Sequence, residues 1–158
     1  SLKHYENTSM HGGALRVVFC KAGSSMPISE SPITTADWQI FRMKCLRSRV
    51  LIRDCVETLP VNFAYGAAGR AVMLINWAQI ADSLEFVVDR SHLRFNKAIP
   101  NTSVPIISEE EFFSRTKENE WCFVTAHNYL EGIRQKVDAA FPSKNMKYIV
   151  PLPDVSIK

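Results

Sequence analysis

Four small residues in a row, Gly66-Ala67-Ala68-Gly69, separate an apolar run from a helical one, and Asp89 follows about twenty residues later. A bend of this kind lets main-chain N–H groups approach a phosphate without side-chain obstruction. The helix that opens behind it turns its positive end toward the anion. A carboxylate at the end of the next strand can accept a ribose hydroxyl, or it can serve only as an acid hydrogen-bonded to backbone at the strand end. Tyr65 ahead of the bend offers a ring to stack on a base or sugar, and Arg70 just inside the helix offers a charge to a phosphate. Ala64 stands where a full dinucleotide fingerprint has its first Gly, and the same small-residue turn also serves plain helix–strand packing. A second polar cluster, His127-Asn128-Tyr129, follows the apolar run Trp121–Ala126. The candidate binding residues are therefore Tyr65, Gly66, Ala67, Ala68, Arg70, Asp89, Arg90, His127, Asn128 and Tyr129. No residue is assigned a catalytic role, and no metal-ligand spacing is present.

The elements that must position these groups follow from the apolar pattern. Val61–Ala64, bounded by Pro60 and Gly66, predicts a buried parallel strand; Arg70 to about Gln79 predicts a helix; Leu84–Val88 predicts the next strand. Strand, tight turn, helix, strand and acid is the layout of a nucleotide-binding βαβ unit. Upstream, Ser1–Met10 is polar and predicts a loop or frayed terminus. His11-Gly12-Gly13 leads into a predicted strand, Ala14–Cys20, with His11 read as a turn residue in preference to a base. Lys21–Pro32, rich in Ser, Gly and Pro, predicts a linker. Thr34 or Thr35 then caps a helix to about Thr58, with Trp38, Phe41, Cys45, Ile52, Val56 and Leu59 as its packing face. Downstream, residues 90–103 form a loop at a strand's carboxyl end, the usual ligand-facing side of an open α/β sheet. A brief strand at 104–107 follows. Ser108 with Glu110 and Glu111 starts a short helix. A strand over Trp121–Ala126, a helix over about Leu130–Phe141, a turn at Pro142–Lys144 and a strand from Lys147 close the chain.

The expectation is an α/β fold: a Rossmann-like, mostly parallel sheet with helices on both faces, preceded by an N-terminal strand and a long helix. It is read as one domain over 1–158, with a strand and linker at 1–34, the long helix at 35–59 and the βαβ core at 60–153. That topology sets the tips Tyr65–Gly69, Asp89–Arg90 and His127–Tyr129 along one sheet edge, as one crevice.

The 158 residues suffice for one domain with a real core, and the net charge is +3. Arg42, Lys44, Arg47, Arg49 and Arg53 lie along the long helix and read as a solvated face. No aromatic–basic repeat or zinc spacing accompanies them, so nucleic acid is not an expected partner. No apolar run approaches membrane-spanning length, so neither is a membrane. The four cysteines form no C-x-x-C pair and read as buried free thiols in a reducing, cytoplasmic setting. The chain opens on Ser1 without a methionine, which fits either an artificial boundary or a fragment of something longer, and its status as fragment or free-standing protein stays open.

Several segments resemble, in order, the carboxy-terminal domain of sugar C-methyltransferases. His11-Gly12-Gly13-Ala14-Leu15-Arg16 is similar to that domain's His-Gly-Gly-Ser-Leu-Arg, and Tyr65–Ala71 to its Tyr-Gly-Ala-x-Ala-Lys-Gly turn. Leu74-Ile75-Asn76-Trp77 resembles Leu-Leu-Asn-Tyr, and Val87-Val88-Asp89-Arg90 resembles Val-Val-Asp-Arg. Ile99-Pro100 through Val104-Pro105-Ile106, Asn128-Tyr129 with Glu131 and Ile133, and Ile149–Pro153 are similar as well.

The resemblance implies a lobe that helps hold a nucleoside diphosphate sugar while a separate S-adenosylmethionine lobe, in cis or in trans, supplies a methyl group to a carbon of the sugar. It implies no cofactor bound by this chain itself, although S-adenosylmethionine serves the full-length family member. The family's Tyr-x-Glu-His base and its methyl-donor motif have no counterpart here, so this chain alone is not expected to catalyse methylation. Arg70 replaces a Lys, His127 a Trp, and Asn101 the Gly after Pro100. The alternative is a non-catalytic Rossmann-like protein-interaction module. A nicotinamide-dependent enzyme is a third reading, disfavoured by the incomplete glycine pattern.

Overall fold

A computed structural model describes residues 1–9, 14–21, 23–25, 33–115, 121–142 and 146–158. They group into two compact units, Ser1–Arg42 and Met43–Lys158. The reading of His11 as a turn residue lies outside the described residues, as do positions 22 and 26–32 of the expected linker and 143–144 of the expected turn.

The first unit holds a hairpin of β1 (Leu2–Thr8) and β2 (Ala14–Phe19), paired antiparallel. The polar opening is thus a strand and not the loop expected. Burial does not specify it, since Leu2 is its only buried residue. Cross-strand pairing does: Tyr5 lies opposite Val17, Glu6 opposite Arg16 with their charges paired, and the terminal ammonium donates to the Cys20 carbonyl at 2.8 Å.

The long helix α1 (Thr35–Thr58) begins where expected. The Thr34 hydroxyl accepts the Asp37 N–H at 3.2 Å, and the Asp37 carboxylate accepts the Thr34 N–H at 2.8 Å. This is a reciprocal cap that satisfies two otherwise orphaned donors. The expected packing face holds only toward the helix's end. Ile52 and Val56 are buried, whereas Trp38 is 60% and Phe41 59% exposed. Helical spacing marks the stripe but does not say which of its turns are covered.

In the second unit a six-stranded sheet runs in the order β5-β4-β3-β6-β7-β8. Its strands are β3 (Phe63–Tyr65), β4 (Phe86–Asp89), β5 (Ile106–Ser108), β6 (Trp121–Val124), β7 (Lys147–Val150) and β8 (Ser156–Ile157). All pair in parallel except β8, which returns antiparallel to β7. The chain steps outward from β3 to β5, then crosses back to β6 on the other side of β3. The strand order therefore reverses between β3 and β6, where open α/β sheets place their ligand crevice.

Strands β3, β4 and β6 are buried at every residue, which is why they read as short, unbroken apolar runs. Alternate side chains build two cores. Ala64, Val87, Phe123 and Ile149 pack with Ile52 and Val56 of α1 and with Ala71, Leu74, Ile75 and Ala78 of α2 (Gly69–Ala78). Phe63, Tyr65, Phe86, Val88, Cys122, Val124 and Tyr148 pack with Phe112 of α3 (Glu109–Ser114) and with Ile133 and Val137 of α4 (Leu130–Ala140). Helices cover both faces, so the α/β, mostly parallel architecture is the one anticipated.

Two ties fix α2 in place. Arg53 donates to the Ala78 carbonyl at 2.9 Å, where Gln79 turns left-handed at φ 58°. Asn76 donates to the carbonyls of Val72 at 2.8 Å and Pro100 at 3.0 Å, which makes it a brace between α2 and the following loop.

Candidate functional site: a cleft at the strand reversal

The bend after β3 is defined by what lies against it. Gly66 has φ 99°, a conformation open to glycine and strained for other residues. Its N–H donates to the Val88 carbonyl at 2.7 Å. The Thr125 hydroxyl, fully buried, donates toward the carbonyls of Tyr65, at 2.8 Å, and Gly66, while the Ala126 N–H reaches Tyr65 at 3.2 Å. The turns after β3 and β6 are thereby stapled together across the strand reversal.

Asp89 completes the frame. Its Oδ2 accepts the Ala67 N–H at 2.6 Å; its Oδ1 accepts the Ser91 N–H at 2.7 Å and the Arg94 guanidinium at 2.9 Å. Only 6% of the residue is exposed. The carboxylate expected to meet a ribose is therefore spent inside the protein, on one of the amides expected to greet an anion. Helix α2 still opens without a side-chain cap, from Ala68 in extended conformation, and with no acid in its first turn.

A cleft of about 750 Å³ lies at this edge of the sheet. Of the expected residues, Tyr65, Gly66, Ala68, Asp89, Arg90, His127, Asn128 and Tyr129 line it. Ala67 and Arg70 do not. Ala67 is buried with its amide on Asp89. Arg70 turns its guanidinium to the His127 ring, 3.3 Å from Nε2, a contact in which the ring nitrogen is the acceptor. Tyr65 also differs from expectation. It is 2% exposed, its ring sits edge-on to Phe112, and its hydroxyl donates to Glu109, so it has no face to offer a base. The exposed ring of the cleft is Tyr129, at 63%.

Sequence reasoning missed Ser91, Arg94, Glu109, Lys136 and the first turn of α4. Arg94 lies in the loop already marked as ligand-facing. Glu109 was visible only as an acid at a helix start, and nothing in the sequence singles out Lys136.

Burial, and then the bond to Glu109, push the Tyr65 phenol far above its ordinary range; burial and Asp138, whose Oδ1 accepts from Tyr148 at 3.0 Å, do the same for Tyr148. Raised folded-state values mean that the native state holds these protons more tightly. Their contribution to stability is complete below an unfolded phenol's value of about 10 and is lost as pH climbs beyond it. An alkaline titration should show phenolate absorbance still missing until the protein unfolds. Tyr65→Phe and Tyr148→Phe should each shrink the final step. Full absorbance before any loss of helical signal would contradict the assignment.

Among the described residues no cluster of His, Cys, Asp and Glu could hold a metal ion, and no helix is long and apolar enough to cross a membrane. The C-methyltransferase C-terminal domain family matches residues 39–153. No curated protein matches the chain.

Proposed function

The chain belongs to the C-methyltransferase C-terminal domain family, and from that premise we propose that it is the nucleotide-sugar-binding lobe of a sugar C-methyltransferase. The observation that carries the reading is the cleft at the strand reversal, lined by Ala68 at the uncapped start of α2, by Arg90 and by Tyr129. Arg90 is exposed, and no hydrogen bond or ion pair engages it among the described residues. It and the first amides of α2 supply positive charge for a diphosphate. Tyr129 supplies the stacking surface first expected of Tyr65. Asn128 and His127 stand beside it, with Arg70 holding the His127 ring.

The family implies S-adenosylmethionine for full-length members. This chain is a poor fit for that cofactor, because the Asp89 carboxylate that would hold its ribose is already filled by protein donors. The methyl-donor lobe, in cis or in trans, is therefore the partner this reading requires, and S-adenosylmethionine supplies the methyl group from there. The present chain binds and orients the sugar. The cysteines are free, but only Cys122 is buried as expected, while Cys45 and Cys55 are partly covered and Cys20 is exposed; free thiols suit a reducing compartment, the cytoplasm.

Calorimetry with uridine diphosphate and uridine diphosphate glucose tests the proposal. Binding heat is expected, with amide shifts at residues 66–69. Arg90→Ala and Tyr129→Ala should each weaken affinity by about tenfold, or about 1.4 kcal/mol. Absence of heat and of shifts would dismiss it. A protein-interaction module is the second reading, favoured by the exposed Trp38 and Phe41 on α1; it predicts the same silence toward nucleotides.

A further inference from the structure

Resting on that reading of the cleft, we propose that Glu109 and Lys136 form a subsite that takes a vicinal diol of the ligand. The need for such a site follows from Asp89. In a sheet of this topology the carboxylate at the end of β4 is the one placed to receive ribose hydroxyls. Here it holds two main-chain amides and a guanidinium, and it is buried. Hydroxyl recognition must come from another group.

Glu109 follows directly on β5, the strand beside β4, and Lys136 projects from α4; both line the cleft. The Lys136 ammonium donates to both carboxylate oxygens, at 2.9 Å and 2.8 Å, and the Tyr65 hydroxyl donates to Oε1. A carboxylate has about four acceptor positions. Three are taken, which leaves one, on Oε2. The ammonium keeps a further N–H. The side chains are 16% and 43% exposed, so both remain within reach of a ligand.

An acceptor and a donor side by side match two neighbouring hydroxyls. One O–H donates to Oε2, and the adjacent oxygen accepts from the ammonium. The pair is neutral overall, so it adds little to the binding of a diphosphate. Tyr65, locked in the core against Phe112, fixes the carboxylate before the ligand arrives, and this lowers the entropic cost of recognition. A plain surface ion pair needs no such support from a buried phenol.

The diol can belong to the nucleoside ribose or to the hexose. Calorimetry with uridine diphosphate, 2′-deoxyuridine diphosphate and uridine diphosphate glucose separates the two. The wild-type protein should prefer one member of a pair by about tenfold: the ribo- over the deoxynucleotide, or the glucose conjugate over the bare diphosphate. Glu109→Gln keeps the shape and an acceptor for Tyr65 but turns a donor toward Lys136. It should bring that ratio close to one, and so should Lys136→Met, an exposed change on a different helix that carries the test if the first variant fails to fold. Collapse of the first ratio assigns the ribose and collapse of the second the hexose; either supports the subsite. Binding with both ratios unchanged in the variants overturns it and leaves the nucleotide reading standing. Failure of the wild-type protein to bind any of the three removes both.

Discussion

Gly66→Ala should lower the unfolding free energy by about 2–4 kcal/mol, from the combined cost of a strained backbone and an overpacked contact. The backbone at this position has φ 99°, which an L side chain rarely adopts. A Cβ built there would lie 2.6 Å from the Ala126 Cβ and 3.1 Å from the Thr125 hydroxyl. Neither neighbour can yield cheaply. Thr125 is bonded to the carbonyls on either side of the bend, and the Ala126 amide is bonded to Tyr65. Relief would have to come from separating the β3 and β6 ends, both of which border the cleft. In a urea melt the midpoint should fall while the slope stays unchanged, because the same surface is exposed on unfolding. Nucleotide affinity should fall as well. Gly69→Ala is the matched control: nothing lies within 4 Å of a Cβ there, and alanine is the better helix former at the start of α2. A Gly66→Ala midpoint equal to that of the Gly69 variant would show that the staple across the strand reversal is not rigid.

The small-residue bend was legible in the sequence because the backbone at Gly66, at φ 99°, favours glycine whatever lies around it. The same holds for the buried strands, whose unbroken apolar runs need no partner to be recognised, and for the start of α1, where Thr34 and Asp37 lie within one turn. What could not be read depends on distant pairing. The polar strand β1 exists because β2 lies beside it. The exposure of Trp38 and Phe41 is not encoded by helical periodicity, which marks a stripe without saying what covers it. From sequence Tyr65 reads as a ligand residue because it abuts the bend. Strand alternation, with Phe63 and Tyr65 on one face and Ala64 on the other, would have placed it in the core with Phe112. Lys136 enters the cleft only through the fold, which brings α4 against the first residue of α3.

Asp89→Asn should cost about 2–3 kcal/mol despite being nearly isosteric, and it should do so through the frame of the site. Every partner of this side chain is a donor: the Ala67 amide on one oxygen, the Ser91 amide and Arg94 on the other. An asparagine has a single oxygen. Whichever way its amide is turned, an NH₂ group faces another N–H in a site that is almost closed to water. The lost attraction to Arg94 adds little, because that side chain is 42% exposed and solvent screens the pair. Arg94→Ala should therefore cost under about 1 kcal/mol, and the difference between the two variants isolates the main-chain ties. Hydrogen exchange at the Ala67 amide gives the local readout, with faster exchange expected in Asp89→Asn and unchanged exchange in Arg94→Ala. If Asp89 instead served the ligand directly, Asp89→Asn would weaken nucleotide binding while the melt and the Ala67 exchange stayed as in wild type. That pattern would return the hydroxyl-reading role to Asp89. Loss of stability together with a freed Ala67 amide keeps Asp89 as the brace that sets the bend, and leaves the ligand's hydroxyls to another carboxylate in the cleft.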